Sequence, residues 1–489
     1  MVPFINLSLD RRAARPLQRQ IYDELRTAVL AGRLSPGARL PSTRTLADDL
    51  GVSRNTVTGA FEQLLAEGYL EGRTGSGTYV AASLPEDLLR VMEAPSASSR
   101  RSASALKLSA RGAALASIPV SPARDVGSSP AFRPGIPALD EFPRDVWARM
   151  ASRVLRHART DVFGYGDPAG YPRLRQAIAE YLRAARGVRC TAGQVIVTAG
   201  SQQALDLAVR LLLDPGDTAW VEDPGYMGAR GAFLAAGIRC APVAVDAEGL
   251  SVVDGQARAP QARLAYVSPS HQYPVGVTMS LARRMALLAW ARERHAWIVE
   301  DDYDSEFRYA GRPLAALQGL DTADRVIYTG TFSKVLFPAL RLGYLVAPES
   351  IVDAFTSARA LADRHSPVLE QALVAEFLSE GHFARHVRRM RALYDERQQI
   401  LVGALRKELG ALLEVAPPEA GMHLVAWLPE HVRDAEISRK AGAAGISVPA
   451  VSMYAMRRRT RPGLLFGYAA LNGRLIREGV RKLAGAMLD

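Results

Sequence analysis

Lysine is almost missing from this chain. Of its 61 basic residues only Lys107, Lys334, Lys407, Lys440 and Lys482 are lysines, and the rest are arginines. Cysteine is scarcer still: Cys190 and Cys240 lie far apart in no metal or redox spacing. That excludes a disulfide framework and a cysteine-based zinc site, and both read as ordinary small residues of a reducing cytoplasm. No apolar run reaches the roughly 18–20 residues needed to cross a bilayer, and the N-terminus lacks a signal-peptide core. The expectation is a cytoplasmic protein with no membrane partner. Positive charge is present but dispersed, since a net charge of +11 leaves residues 1–80 with ten arginines against eight acids. The stretch from Arg457 to Lys482 is more basic. Charge alone therefore favours a polyanionic partner without placing it.

What the chain does have is length and pattern. A sequence of 489 residues is too long for one hydrophobic core, and 48% hydrophobic with 23% charged residues is ordinary for a globular protein. Three zones follow from composition. Residues 11–80 are compact and periodic. Residues 81–127 are rich in Ser, Ala, Pro and Arg, as in Pro95-Ser96-Ala97-Ser98-Ser99-Arg100-Arg101-Ser102, and read as a flexible linker. Residues 128–489 alternate short apolar runs with amphipathic stretches, the pattern of an α/β domain.

In the first zone Leu17, Ile21, Leu25 and Ala28 recur at helical spacing, which predicts a helix ending near Gly32. Ser42 and Ser53 are natural N-caps for a second and a third helix, separated by a turn at Gly51. Val57, Phe61, Leu64 and Leu65 give the third helix its apolar face, while Arg54, Asn55, Thr56 and Thr58 lie on the other. That is the arrangement of a recognition helix, whose first residues meet base edges in the major groove. Gly75-Ser76-Gly77, between two short strands, makes a wing that can approach a phosphate backbone.

The string Leu40-Pro41-Ser42-Thr43-Arg44, Leu50-Gly51-Val52-Ser53-Arg54-Asn55-Thr56-Val57 and Glu67-Gly68-Tyr69-Leu70 resembles the winged helix-turn-helix of the GntR family. The resemblance implies double-stranded operator DNA as partner. Arg44 and Arg54 would contact phosphates or guanine edges, Ser53, Asn55 and Thr56 would anchor the third helix, and Gly75 and Ser76 would form the wing tip.

In the third zone a strand through Val197-Thr198 runs into Ala199-Gly200-Ser201-Gln202, a glycine turn at a helix N-terminus and hence an anion site. Val221-Glu222-Asp223-Pro224-Gly225-Tyr226 puts an aromatic ring at another strand end. A buried strand, Ala296-Trp297-Ile298-Val299, ends in Glu300-Asp301-Asp302-Tyr303-Asp304, and such a cluster of acids at the carboxyl end of a strand is costly unless something there uses its charge. Lys334 stands in Thr331-Phe332-Ser333-Lys334-Val335-Leu336-Phe337-Pro338-Ala339-Leu340-Arg341. Arginine is a permanently charged fork, whereas lysine can lose its proton and act as an amine nucleophile.

These pieces suit pyridoxal 5'-phosphate (PLP), which needs an amine, an acid for its ring nitrogen, a donor to its phenolate, a stacked ring and a phosphate cradle. Lys334, Asp301, Tyr303, Tyr226 and the Gly200-Ser201-Gln202 turn fill those roles, with Thr331, Ser333 and Arg341 added around the phosphate. Asp302 is the alternative to Asp301, Tyr226 can be a plain core aromatic, and His271 and His423 read as structural. Order and spacing resemble the fold-type I aminotransferases over most of residues 128–489. By that resemblance Lys334 carries PLP as a Schiff base, and Tyr165 reaches the phosphate of a neighbouring subunit, which implies active sites at a dimer interface.

Two departures stand out. Tyr273 occupies the place of the asparagine in the Asn-Pro-x-Gly motif of aminotransferases. Leu464-Leu465-Phe466-Gly467-Tyr468 lacks the arginine that clamps a substrate α-carboxylate, leaving Arg457–Arg461 or Arg230 to replace it. Taken whole, a winged helix-turn-helix joined by a long linker to a fold-type I PLP-dependent aminotransferase-like domain resembles the MocR/GabR subfamily. The resemblance implies a PLP-dependent regulator that senses an amine, an amino acid or PLP itself, as a head-to-tail homodimer with no physiological turnover. A working aminotransferase with a fused DNA-binding domain is the alternative.

Overall fold

The computed structural model describes residues 7–84, 108–116 and 131–488, apart from 8, 12, 14, 74, 159, 311–314, 458 and 459. The chain divides into two compact units, Met1–Lys107 and Leu108–Asp489.

In the first unit, α1 (Leu17–Leu30) buries Ile21, Tyr22, Leu25, Ala28 and Val29 along one face, the stripe of an amphipathic helix. Ser42 caps α2 (Thr43–Leu50) by accepting the Thr45 N–H at 3.1 Å, and Gly51 ends that helix at φ +62°. Ser53 caps α3 (Arg54–Ala66) through the Thr56 N–H at 3.2 Å. Helix α3 buries Val57, Ala60, Phe61 and Leu64, and packs on α1 and α2. The wing is β1 (Leu70–Arg73) antiparallel to β2 (Gly77–Val80), with Arg39 bridging to Tyr79 from the other side. One core around Leu25, Leu46, Phe61 and Val80 joins all of these. The expected winged helix-turn-helix is present, with both serine caps in place.

Most of the linker expected over 81–127 lies outside the described residues. Where it is described it is not all linker-like: α4 (Ala110–Ala116) is helical and lies beside the helix Met227–Ala236 of the second unit. Its alanines carry the highest helix propensity of any residue, which outweighs the loop-forming composition of their surroundings.

The second unit contains α5 (Pro172–Arg186), α6 (Ser201–Leu212), α7 (Met227–Ala236) and α8 (Leu317–Leu320) among its helices. Its main sheet is built from β3 (Val195–Thr198), β4 (Thr218–Asp223), β5 (Arg239–Asp246), β6 (Gly249–Leu250), β7 (Leu264–Val267), β8 (Trp297–Asp302), β9 (Val326–Thr331) and β10 (Gly343–Val346). Across the sheet the order is β3-β10-β9-β8-β7-β4-β5-β6. Strands β5, β4, β7, β8 and β9 are mutually parallel, whereas β10 runs against both of its neighbours. Two reversals make β3 parallel to β9. The carboxyl ends of β3, β4, β7, β8 and β9 and the start of β10 therefore meet along one edge of the sheet. Strands β3, β4, β7, β9 and β10 are buried along their whole length, as a parallel sheet covered on both faces requires. A smaller antiparallel sheet, β11 (Glu414–Val415), β12 (His423–Trp427) and β13 (Gly463–Gly467), packs with the helices His382–Leu409 and Gly473–Leu488 into the same core as β3 and β10.

The buried strand expected to end in the acidic run spans Trp297–Asp302, so Glu300, Asp301 and Asp302 are its last residues. The acids are thus part of the sheet, and strand alternation sends them to opposite faces.

Candidate functional site

Where the strand ends converge, they enclose a cavity of about 230 Å³. Gly200, Ser201, Gln202, Tyr226, Asp301, Tyr303, Thr331, Ser333, Lys334 and Arg341 all line it, delivered by five segments of the chain along that edge. Gly200 sits at φ +132°, and no described side chain caps the first turn of α6 behind it. The turn's free N–H groups and the helix dipole favour an anion there. Arg341, itself at φ +51°, brings its guanidinium within 3.9 Å of a Cβ built on Gly200. Thr331 Oγ1 accepts the Ser333 N–H at 3.2 Å and fixes the turn that leads to Lys334.

The Lys334 amine donates to the Gly135 carbonyl at 2.9 Å. Burial holds its pKa below the ordinary lysine value, against the pull of Asp304 and Asp301, and Arg133 adds to the lowering. A neutral amine is the nucleophilic form, so the depression prepares Lys334 to condense with a carbonyl group. Asp301 is also buried. Burial raises its pKa to about 6, while hydrogen bonds from Tyr266 and Thr329 pull the other way. The Tyr266 hydroxyl donates to Oδ2 at 2.6 Å and Thr329 Oγ1 to Oδ1 at 3.3 Å.

Asp302 points away from the cavity. Arg186 Nε lies 2.8 Å from Oδ2, and the Tyr328 hydroxyl donates to the same oxygen at 2.6 Å. Glu300, on that same face, accepts the Leu317 and Gln318 N–H groups at 2.8 and 2.9 Å and so caps α8. Between Asp301 and Asp302 the pleat therefore selects Asp301 as the acid of the cavity. Tyr226 is held by its hydroxyl, which donates to Gln202 Oε1 at 3.2 Å, and its ring stacks toward Tyr266 with centroids 6.5 Å apart.

Some lining residues were not singled out from sequence. Tyr266, Pro134, Gly135 and Met422 reach the cavity from positions that look like plain core or loop. Asp304 and His423 also line it, although His423 reads as structural in the sequence. Asp304 was legible only as a member of the acidic run. Tyr165 does not join the cavity: it is 84% exposed, with its ring under the Arg364 guanidinium at 4.7 Å.

Residues 136–472 match the family described as aminotransferase class I and II, and residues 17–80 match the bacterial regulatory proteins of the gntR family. The chain is 44% identical over 482 residues to the probable rhizopine catabolism regulatory protein MocR of Rhizobium meliloti, covering 99% of this chain and 96% of that one. The chain belongs to the MocR-type GntR regulators.

Other relatives of this MocR-type regulator agree. The pyridoxine biosynthesis regulator PdxR of Corynebacterium glutamicum is 31% identical, over 100% of this chain and 99% of its own. Among solved structures, the α-aminoadipate aminotransferase LysN of Thermus thermophilus, complexed with N-(5'-phosphopyridoxyl)-L-leucine, is 33% identical with a TM-score of 0.68, over 73% of this chain and 92% of that one. The multiple substrate aminotransferase of Thermococcus profundus is 29% identical with a TM-score of 0.70, over 78% and 97%. The second unit thus has the fold of PLP-dependent aminotransferases, and the first is a GntR-type helix-turn-helix, a DNA-binding module.

On that module Arg44, Ser53, Arg54 and Asn55 are exposed, while Thr56 is half-buried. Arg44 and Arg54 make no ion pair with a described residue, which leaves both guanidinium groups available to phosphate. Ser53 Oγ and Thr56 Oγ1 lie 2.8 Å apart, so their first duty is to each other and to the cap. At the wing, Gly75 has φ +76° and Ser76 Oγ bonds the Tyr79 hydroxyl at 2.6 Å.

The replacements expected for the carboxylate-binding arginine are mostly committed elsewhere. Arg457 pairs with Asp254 at 2.6 Å and Asp223 at 3.3 Å, and Arg461 pairs with Glu414 and stacks on Trp427. Arg458 and Arg459 lie outside the described residues. Arg230 is exposed and lines a separate small cavity behind Tyr226. Among the described residues, Arg341 is the arginine that lines the main cavity. Membrane spanning has no candidate either, since no described helix is long and apolar enough.

Proposed function

We propose that this regulator holds PLP in the main cavity, bonded to Lys334, and that its DNA output responds to an amine, an amino acid or PLP itself arriving there. The observation that carries the reading is a single cavity combining a half-buried lysine amine whose pKa is held below the ordinary value, a buried carboxylate and a helix N-terminus with no described side-chain cap. PLP supplies an aldehyde that exchanges reversibly between amines. Around it Asp301 would hold the ring nitrogen protonated, Tyr226 would cover the ring face, and Tyr303 would donate to the phenolic oxygen. Gly200, Ser201, Gln202, Thr331, Ser333 and Arg341 would receive the phosphate. The donor set fits the group: an anion-binding turn, a buried carboxylate and a lysine amine line the same cavity.

The effector domain would act as a head-to-tail homodimer, with Tyr165 completing the phosphate site of the partner; its high exposure supports that reading. Arg44, Ser53, Arg54, Asn55, Thr56, Gly75 and Ser76 would face operator DNA. The domain limits follow as 11–80, a linker over 81–127 and 128–489, with α4 a structured piece within the linker.

The test is spectroscopic. The purified protein with PLP should absorb near roughly 410–430 nm, and Lys334→Ala should abolish the band without unfolding the protein. An unchanged spectrum in Lys334→Ala would overturn the assignment.

A further inference from the structure

Behind the cavity lies a buried group that the cofactor roles leave unused. His271 Nδ1 is 3.0 and 3.2 Å from the two oxygens of Asp304, and the same nitrogen is 3.1 Å from the Tyr303 hydroxyl. His271 and Asp304 are both fully enclosed. Their place is made by backbone: a Cβ on Gly421 would overlap His271 Cε1, and one on Gly276 would press on Nε2. His423 packs on the other side, with ring centroids 4.7 Å apart and its own Nε2 directed at the Pro274 carbonyl at 3.1 Å. A carbonyl only accepts, so His423 keeps its hydrogen on Nε2.

We infer that His271 and Asp304 are positioning residues that force the Tyr303 hydroxyl to give its hydrogen to the cavity. The inference rests on the reading that the cavity holds PLP with Tyr303 at its phenolic oxygen. Valence fixes where each hydrogen sits. An ionised carboxylate offers only acceptors, so the hydrogen between Asp304 and His271 belongs to Nδ1. A protonated Nδ1 has no lone pair left. Tyr303 therefore cannot donate to it, and the hydroxyl hydrogen turns toward the cavity, where the acceptor would be. Without the pair, the same hydroxyl would satisfy itself inward, on a bare imidazole nitrogen or on the Asp304 carboxylate.

Among the described residues His271 Nε2 has no hydrogen-bond partner, and a hydrogen on Nδ1 spares the ring an unpaired buried N–H there. Only one of its two nitrogens has work to do. The charged and titratable groups facing Tyr303 are Asp304, Tyr273, Asp301 and Glu222, besides His271 itself.

The test compares the pH midpoint of the PLP absorbance band in the native protein, Tyr303→Phe, His271→Phe and the double variant. Losing a donor to the phenolic oxygen makes that oxygen hold the shared proton more tightly, so the midpoint rises. Tyr303→Phe should raise it by about one pH unit, and His271→Phe should raise it in the same direction. The double variant should move no further than Tyr303→Phe alone. A midpoint unmoved by His271→Phe, or effects that add in the double variant, would overturn the inference. A native protein with no band on Lys334 would instead defeat the PLP reading on which it rests. If His271→Phe does not fold, nitrogen NMR of histidine-labelled native protein decides the matter. His271 should carry its hydrogen on Nδ1, and a hydrogen on Nε2 alone would sink the idea.

Discussion

Asp301 and Lys334 share one cavity but are tuned by the same burial in opposite directions. Leaving water disfavours both charges, so the amine loses its proton more readily and the carboxyl keeps its proton up to about pH 6. The sign for cofactor binding follows. Above that pH Asp301 is ionised and can pair with a protonated ring nitrogen, and below it the pair is lost. PLP affinity should therefore weaken as pH falls through 6, by up to about tenfold per pH unit from this group. Other groups titrate in the same range, so the measurement is the difference from Asp301→Asn, whose binding should be weaker at neutral pH and less pH-dependent. Equal pH profiles in the two proteins would refute the role. Most residues of this cavity were legible in the sequence because the chemistry demands unusual types: a lysine among arginines, acids in an apolar run, a glycine before a helix. Tyr266 and Gly135 were not. The hydroxyl of the first and the carbonyl of the second act, yet in one dimension they are a core aromatic and a loop glycine.

At the level of elements, β8 shows how a strand serves two purposes. Its alternation turns Asp301 to the cavity and ties Glu300 and Asp302 to the helices α8 and α5. The Arg186–Asp302 pair is buried on both sides. Removing only the arginine would leave a carboxylate without its countercharge, so Arg186→Leu should cost about 3–5 kcal/mol in unfolding free energy. The double variant with Asp302→Leu should recover a substantial part of that loss. A cost below about 1 kcal/mol for the single variant would show that the pair is not fixing β8 to α5. The acids at the end of this strand were legible in the sequence, but the partners that Glu300 and Asp302 find on the far face were not, because they come from distant parts of the chain. The short helix α4 escaped for a different reason. One face of seven residues is too little periodicity to register, whereas the serine caps of α2 and α3 announced themselves by type and position.

For the whole molecule, the proposed function divides labour between the two units: one would present arginines to a polyanion, and the other would enclose a small anion and an amine. Operator affinity should fall steeply with salt, on the order of a thousandfold between 50 and 200 mM for a dimer making several phosphate contacts. Arg44→Ala and Arg54→Ala should each weaken binding and shallow the salt slope by about one. Slopes identical to the native protein would remove these two arginines from the interface. The pairing of a DNA module with a PLP-type fold was readable from motifs alone. How the linker divides was not, because composition describes an average and α4 is a local exception.

That exception sets a length. With Ala110–Ala116 folded beside the second unit, a linker from the first unit would end at about residue 108 rather than 127. Between Leu84 and Leu108 remain about two dozen residues, whose contour cannot exceed about 85 Å at 3.3–3.6 Å each. On the proposed linker reading, a segment of that length would act as a leash and set the local concentration of the DNA module near an operator. Lengthening it should dilute the module, and loosening α4 would do the same without adding a residue.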